Sequence, residues 1–447
     1  MTMDIGNNRF IFVVALFWMV YSILFNSFGF SSSMLASIVV CVLFPFFSIE
    51  QKWLFLFSTL PFMGIFKLAG NLPSTSIILY VILIAATLIK GIRLNKNFIV
   101  FTLCLTTIQL IVLLVHGGGL VVLISSIINY IFISQSCELF ESFGCKKESF
   151  FLNATVVYLL SMAIMSFVSQ IMPAMASLVS QVDQSIFVEN FLSKRYSGLA
   201  GDPNYYTQLV MIGLALGVSV FFLTNASLCQ KFISLFCCIY LLYSGVFTMS
   251  KSYYASVAIL FVITFLYIYK LNVNKKSFLI VGIIITPIIM YLGYYILLNF
   301  VVPGIYQRVS ATVDLTSGRS DIWSVYLNLF ASKMDVLFFG AGAGNAKQLI
   351  LPIYGKAQTA HNMIIEQIAD YGLVGCCFML GMYYKSIKKF FLGLSNPMVI
   401  FFVMFLATGM SLSLSSYDAY CFVIPMLCLI DIKKEGFINY ENRNIDF

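Results

Sequence analysis

The chain has 447 residues, 60% of them hydrophobic and only 10% charged, with a mean hydropathy of +0.95. A soluble domain is usually about 45–50% apolar and about 25% charged, so the composition excludes a soluble fold: no interior of this size hides so much apolar surface. The net charge of +8 comes from 26 Lys and Arg scattered singly or in pairs through short loops. They form no basic stripe, so nucleic acid is not an expected partner, and the excess fits the positive-inside bias of membrane proteins.

About 20 apolar residues carry a helix across the hydrocarbon core. Such runs fall near 10–27, 33–48, 52–67, 74–90, 98–115, 119–135, 150–171, 205–223, 231–248, 252–270, 277–299, 361–384, 396–413 and 416–431. The second, third and last are short, so about 12–14 spans are expected. The runs are uniformly apolar rather than alternating, which favours helices over barrel strands. The expected fold class is all-α, a single polytopic helical bundle over 1–447. The first run has no small-residue cleavage site behind it and is expected to remain as a span. Most of the 11 cysteines lie inside apolar runs and there are only two histidines, so no metal-ligand spacing arises. The cysteines read as small hydrophobes, and neither metal nor cofactor is expected.

With the N-terminus placed in the cytoplasm and the spans alternating, most of the Lys and Arg fall on the inner side and both termini come out cytoplasmic. The two longest connections, 173–204 and 301–360, then share the outer face. The second carries a helical pattern, Ile322, Trp323, Tyr326, Leu327 and Phe330, which predicts an amphipathic helix at the interface, with Ser320 or Asp321 as its cap.

Four constellations on these segments bear chemistry. The first runs from Lys194 and Arg195 through Gly198 and Gly201 to Asp202, Pro203 and Asn204, a structured turn into the eighth span with Asp202 or Asn204 as cap. Arg195 reads either as an interfacial anchor or as a fixed anion ligand. The second is Ser317, Gly318, Arg319, Ser320 and Asp321, preceded by Arg308. A cation in the first turn opposes the helix dipole, and an anion held by both the helix amides and the guanidinium resolves the conflict. The alternative is an arginine snorkelling over headgroups. The third, Gly340 to Asn345, lacks the flanking strand and acid of a dinucleotide site and reads as a flexible close-approach turn. The fourth is His361 and Asn362 at the mouth of a span that also carries Glu366 and Asp370, and carboxylates inside a span are costly and usually functional or paired. Lys251, between two serines at the start of the tenth span, is either a snorkelling charge or a further anion ligand. His116, beside a run of glycines, carries little weight for a direct role.

In order and spacing these motifs resemble the O-antigen polymerase and ligase superfamily of bacterial envelope glycosyltransferases. The resemblance covers 194–375: Arg195 to Asn204, Ser250 to Ser252, Ser317 to Trp323, Gly340 to Asn345, and His361 to Gly375. Lys251 departs from it, since arginine is commoner there, which puts a bidentate contact in doubt. The resemblance implies a GT-C-like membrane glycosyltransferase of the bacterial inner membrane, acting at the periplasmic face on an oligosaccharide linked to undecaprenyl diphosphate. It implies a polymerase of O-antigen or capsular repeat units, with a chain-length regulator as a partner besides membrane lipid. The runner-up is the ligase that moves glycan onto lipid A–core. In this reading His361, Arg319 and Arg195 are catalytic, with Arg319 and Arg195 on the diphosphate and His361 as general base. Arg308, Lys251, Asp202, Asn204 and Asn362 bind substrate. No Asp-x-Asp motif occurs in the outer segments, which agrees with metal-independent transfer. A flippase of the same glycan would place charges at mid-span and show two comparable halves; the charges here concentrate at one face in the second half.

Overall fold

A computed structural model of the protein describes residues 5–68, 74–117, 119–172, 185–188, 191–248, 250–271, 319–355, 357–410 and 417–430. Apart from one hairpin and the connecting turns these residues are helical. The helices are α1 (Ile5–Phe28), α2 (Phe30–Leu43), α3 (Ile49–Thr59), α4 (Ser76–Ile89), α5 (Lys96–His116), α6 (Leu120–Ser142), α7 (Lys147–Ile171), α8 (Pro203–Phe222), α9 (Leu228–Val246), α10 (Lys251–Leu271), α11 (Arg319–Ser332), α12 (Met334–Phe339), α13 (Ala346–Leu349), α14 (Leu351–Tyr354), α15 (Met363–Met382), α16 (Tyr384–Leu392), α17 (Ile400–Gly409) and α18 (Tyr417–Met426). The hairpin pairs β1 (Ser185–Val188) antiparallel with β2 (Phe191–Lys194), Ser185 opposite Lys194. The span expected at 277–299 and the residue Arg308 lie outside the described residues.

Eight of the described helices are long and apolar enough to cross a membrane, and four shorter apolar helices join them, so the chain is a polytopic helical bundle. The run at 52–67 returns from the far end of α2, where Lys52 Nζ donates to Pro45 O at 2.8 Å, to its start, where Ser33 Oγ donates to Lys67 O at 2.6 Å, but not as one continuous helix. Its helix α3 ends at Thr59 and a 3-10 turn, Leu60–Phe62, follows at Pro61, since proline lacks the amide that would continue the helix. Every residue from Lys52 to Phe62 is buried. Trp18 of α1 stacks on Phe62 and donates to Ser58 Oγ at 2.8 Å.

α7 and α8 form the bundle's centre, 78% of each span buried, whereas only 17% of α10 is buried among the described residues. Small residues let α8 approach closely: Gly213 and Gly217 face Tyr158 and Leu159 of α7 and Leu241 and Cys238 of α9, the usual device for packing helices in a membrane.

The two ends of the bundle differ in chemistry. At one end Lys147 and Lys389 converge on Glu141 at 3.1 Å and 2.9 Å, and Lys385 meets Glu138 at 2.6 Å. The opposite end gathers the starts of α8, α10 and α15 and the ends of α5, α7 and α9, and there the glycine turns and the motif residues lie.

A second, smaller core sits at that end. Ile322, Tyr326, Leu329 and Phe330 of α11 pack with Val336, Ala341, Ala346, Ile350, Ala360 and Ala369. α11 is thus amphipathic as expected, except that Leu327 turns outward and Leu329 inward. It begins at Arg319, ahead of both expected caps. The stretch expected as an outer loop is, from residue 319 on, four helices and a turn that folds back into the bundle. Ala341 and Gly342 donate to the carbonyls of Ala369 and Asp370 at 2.8 Å and 3.0 Å. Gln109 of α5 accepts from Ala343 N at 2.9 Å. Gln109 lies seven residues before the end of its helix, so the turn reaches roughly 10 Å below the helix tops at 1.5 Å per residue. Irregular backbone at that depth is tolerated only inside protein, and Ala341, Gly342 and Ala343 are buried.

Candidate active site

The turn before α8 is fixed from three sides. Tyr196 donates its amide to Phe247 O at 3.0 Å, and its hydroxyl meets Ser169 Oγ at 2.5 Å and Ser166 O at 2.7 Å. Burial drives the Tyr196 phenol far above its ordinary pKa, so it stays a neutral hydrogen-bonding post. Gly198, at φ 54°, lies against Tyr206 and Met165, where a β-carbon has no room. Arg195, held by these contacts, donates from Nε to Thr248 O at 3.0 Å. Its guanidinium therefore ties the 195–204 turn to Thr248, just past the end of α9.

Asp202 caps α8, its Oδ1 accepting from Asn204 N at 2.6 Å and Tyr205 N at 3.4 Å. Asn204 Oδ1 accepts from Ser250 Oγ at 2.8 Å, and Ser250 Oγ meets Ser252 Oγ at 2.6 Å. The residues flanking Lys251 are thus tied to the Asp-Pro-Asn corner, which brings Arg195, Asp202, Asn204 and Lys251 together on the main core.

Arg319 and His361 come from the smaller core. Trp323 Nε1 donates to Ala360 O at 2.8 Å and Tyr326 Oη to Gln358 O at 2.9 Å, so α11 carries the 358–361 segment with it. Arg319 is half-buried beside Asp202 and Tyr205. Burial lowers its pKa, and Asp202 and then Tyr205 oppose that. Asp202, with Asp321 in the helix's own first turn, places negative charge near Arg319.

His361 has φ 48°, the one non-glycine residue with positive φ among those described. Strain of this kind persists where surroundings enforce it. Its Nε2 lies 2.9 Å from Gln358 Nε2 and 3.5 Å from Thr359 Oγ1; with the amide as donor, Nε2 is the acceptor nitrogen and Nδ1 carries the proton. Burial, and then the charge of Arg319, lower the imidazole's pKa, while Asp202 raises it. At neutral pH the ring is therefore neutral and able to take a proton.

Asn362 is committed elsewhere. Its Oδ1 accepts from Ile364 N and Ile365 N at 3.0 Å and 3.2 Å, and its Nδ2 donates to Met410 O at 3.3 Å. It caps α15 and is buried, so its chemistry is spent on structure. Asp370 is also internal: its Oδ1 accepts from Ala346 N at 3.1 Å. His116 stands 3.6 Å from Asp335, and the Gly340–Asn345 turn is a clasp whose first four residues, Gly340 to Ala343, are buried.

Sequence reasoning missed Tyr205, Gln358 and Gln109. Tyr205 follows a recognised cap and Gln358 precedes His361 by three residues, so proximity to a motif was their signal. Gln109 is a polar residue in an apolar span, which was a signal of its own.

The assembly can hold a polyanion on Arg195, Lys251 and Arg319, around a neutral imidazole whose conjugate acid Asp202 would stabilise. The family model described as O-antigen ligase matches residues 236–380, from the middle of α9 to the end of α15, and takes in Lys251, Arg319 and His361. No curated protein matches the chain.

Proposed function

We propose, from a chain whose residues 236–380 match the family model described as O-antigen ligase, that this protein is a membrane glycan polymerase. It would join oligosaccharide repeat units carried on undecaprenyl diphosphate at the periplasmic face of the inner membrane. The observation that carries this reading is the juxtaposition of Arg319, Asp202 and His361 at one bundle end, away from the Lys–Glu pairs of the other end.

The chemistry follows from these groups. An acceptor sugar hydroxyl attacks the anomeric carbon of the donor. A carbon–oxygen bond forms there, the bond to the diphosphate oxygen breaks, and the lipid diphosphate leaves with the electron pair. The acceptor hydroxyl displaces the Gln358 amide from His361 Nε2, which then takes its proton; Asp202 stabilises the imidazolium, and Arg319 with Arg195 takes up the charge on the leaving oxygens. Charge-assisted hydrogen bonds to such an anion contribute about 1.5–3 kcal/mol each. Lys251 offers a point charge rather than a fork. Arg308 belongs to the same reading by its sequence position alone.

The matched family's description favours a second reading, in which the finished glycan is moved onto lipid A–core. Deletion separates the two: loss of a polymerase leaves single repeats attached to core, and loss of a ligase leaves core bare. Within either, His361→Ala should abolish product and Arg319→Lys should lower kcat/KM roughly ten- to a hundredfold. Wild-type ladders from both variants would overturn the site.

A further inference from the structure

We propose that Gln109, buried two turns inside α5, is a positioning residue for this site: it holds the re-entrant Gly340–Ala346 turn, and through it Arg319 and His361, in register with Asp202. The proposal deepens the transferase reading and rests on it for the chemistry, though not for the geometry.

Gln109 is 2% exposed and bonds at both ends of its amide. Its Oε1 accepts from Ala343 N at 2.9 Å, and its Nε2 reaches Asp370 O at 3.5 Å. It therefore grips the turn and α15 at once. The two backbones meet there more closely than side chains allow: a β-carbon on Gly340 would overlap the carbonyl of Asp370, and one on Gly372 would overlap that of Phe338. Gly372, at φ 68° and ψ 173°, breaks α15 at this point, which frees the carbonyls of Ala369 and Asp370 to accept from the turn rather than from their own helix. The Asp370 carboxylate closes the far side on Ala346 N, and Asn345 Nδ2 donates to Gly117 O and Ala341 O, both at 3.1 Å.

This clasp matters to the site because of how the molecule is partitioned. Arg195, Asp202 and Lys251 stand on the large core and Arg319 and His361 on the small one. Ala341 and Ala346 of the clasp belong to the small core together with Tyr326 and Ala360, whose neighbours Trp323 and Gln358 hold the His361 segment. A shift of the turn is passed to α11 and to His361 together, but not to Asp202. The groups facing His361 are Arg319 of α11 and Asp202 ahead of α8, so such a shift changes the imidazole's surroundings.

The chain has two histidines, so isotope-labelled histidine in the purified full-length protein gives two NMR titrations, assigned with His116→Gln. Gln109→Met keeps the volume and removes both bonds. The expected result is that His361 titrates at lower pH than in the wild type, since Arg319 moves with it while Asp202, which raises its pKa, is left behind, with turnover on the lipid-linked repeat down roughly tenfold or more, since small misplacements cost this much. Gln109→Glu, whose buried acid stays neutral and offers an acceptor and a donor, retains most of both properties. Ser219→Ala loses a different buried bond, to Pro397 O, and is expected to leave the His361 titration in place. An unmoved His361 titration in Gln109→Met, or one moved equally in Ser219→Ala, overturns the proposal. Full product from His361→Ala would overturn the transferase site instead, leaving the titration result standing.

Discussion

The pKa of His361 is set by opposing neighbours, and this gives the clearest test at the level of single residues. The neutral ring is the base, so acidification through its pKa removes activity. Arg319 lowers that pKa and Asp202 raises it. Arg319→Gln therefore moves the acid limb of the rate profile to higher pH, besides slowing the reaction. Asp202→Asn moves it to lower pH. Asparagine caps a helix about as well as aspartate, so the second variant removes charge while the entry to α8 stays intact. A limb that moves the same way in both variants would mean that His361 is not the group titrating. Arg195, Asp202, Lys251, Arg319 and His361 stand out as candidates in the sequence because each sits in a short local motif of glycines, caps and flanking serines. The pairing of Arg319 with Asp202 was not legible, since nothing local links residues more than a hundred positions apart. Asn362 shows the converse: a motif residue whose side chain is consumed by capping.

Among the elements, the long helices announced themselves by hydropathy alone, and α3 departed from its run because Pro61 ends it. The re-entrant turn was hidden. Met334–Phe339 is six residues long, too short to register as a span, and glycines read equally well as a mobile loop. The difference is testable through two glycines of one segment. Gly355 has φ 73° with nothing within 4 Å of an added β-carbon, whereas Gly340, at φ 81°, faces the Asp370 backbone. Gly355→Ala should cost only the left-handed penalty of about 1–2 kcal/mol. Gly340→Ala must also push the turn away from the α15 backbone, so thermal unfolding in detergent should fall several-fold further, with transfer activity falling alongside. Equal losses would argue that the turn lies free of α15. At the opposite end Glu141 faces two lysines with side-chain exposures of only 9% and 19%. Glu141→Gln leaves both without their carboxylate, and stability should drop by about 1–3 kcal/mol with little change in the pH profile of the distant site.

For the whole molecule, the separation of its two ends carries the orientation argument. Alternating the spans from a cytoplasmic N-terminus puts the Lys–Glu end inside and the Arg319–His361 end outside, where a lipid-linked glycan would be polymerised. Cys145 and Cys229 are exposed and lie at the Lys–Glu end, at the α6–α7 connection and the start of α9. Lys347 is exposed on the short helix α13 at the Arg319–His361 end. A thiol reagent that cannot cross the inner membrane should therefore spare the wild-type protein in intact cells with permeabilised outer membranes. It should modify a Lys347→Cys variant in the same cells, and reach Cys145 only after the inner membrane is broken. Modification of Cys145 in intact cells, with Lys347→Cys protected, would invert the molecule and place the candidate site in the cytoplasm. A glycan polymerase fed from the periplasmic leaflet does not survive that result, whereas the clasp, the caps and the two cores would stand unchanged, because they follow from packing within the chain and not from which compartment it faces.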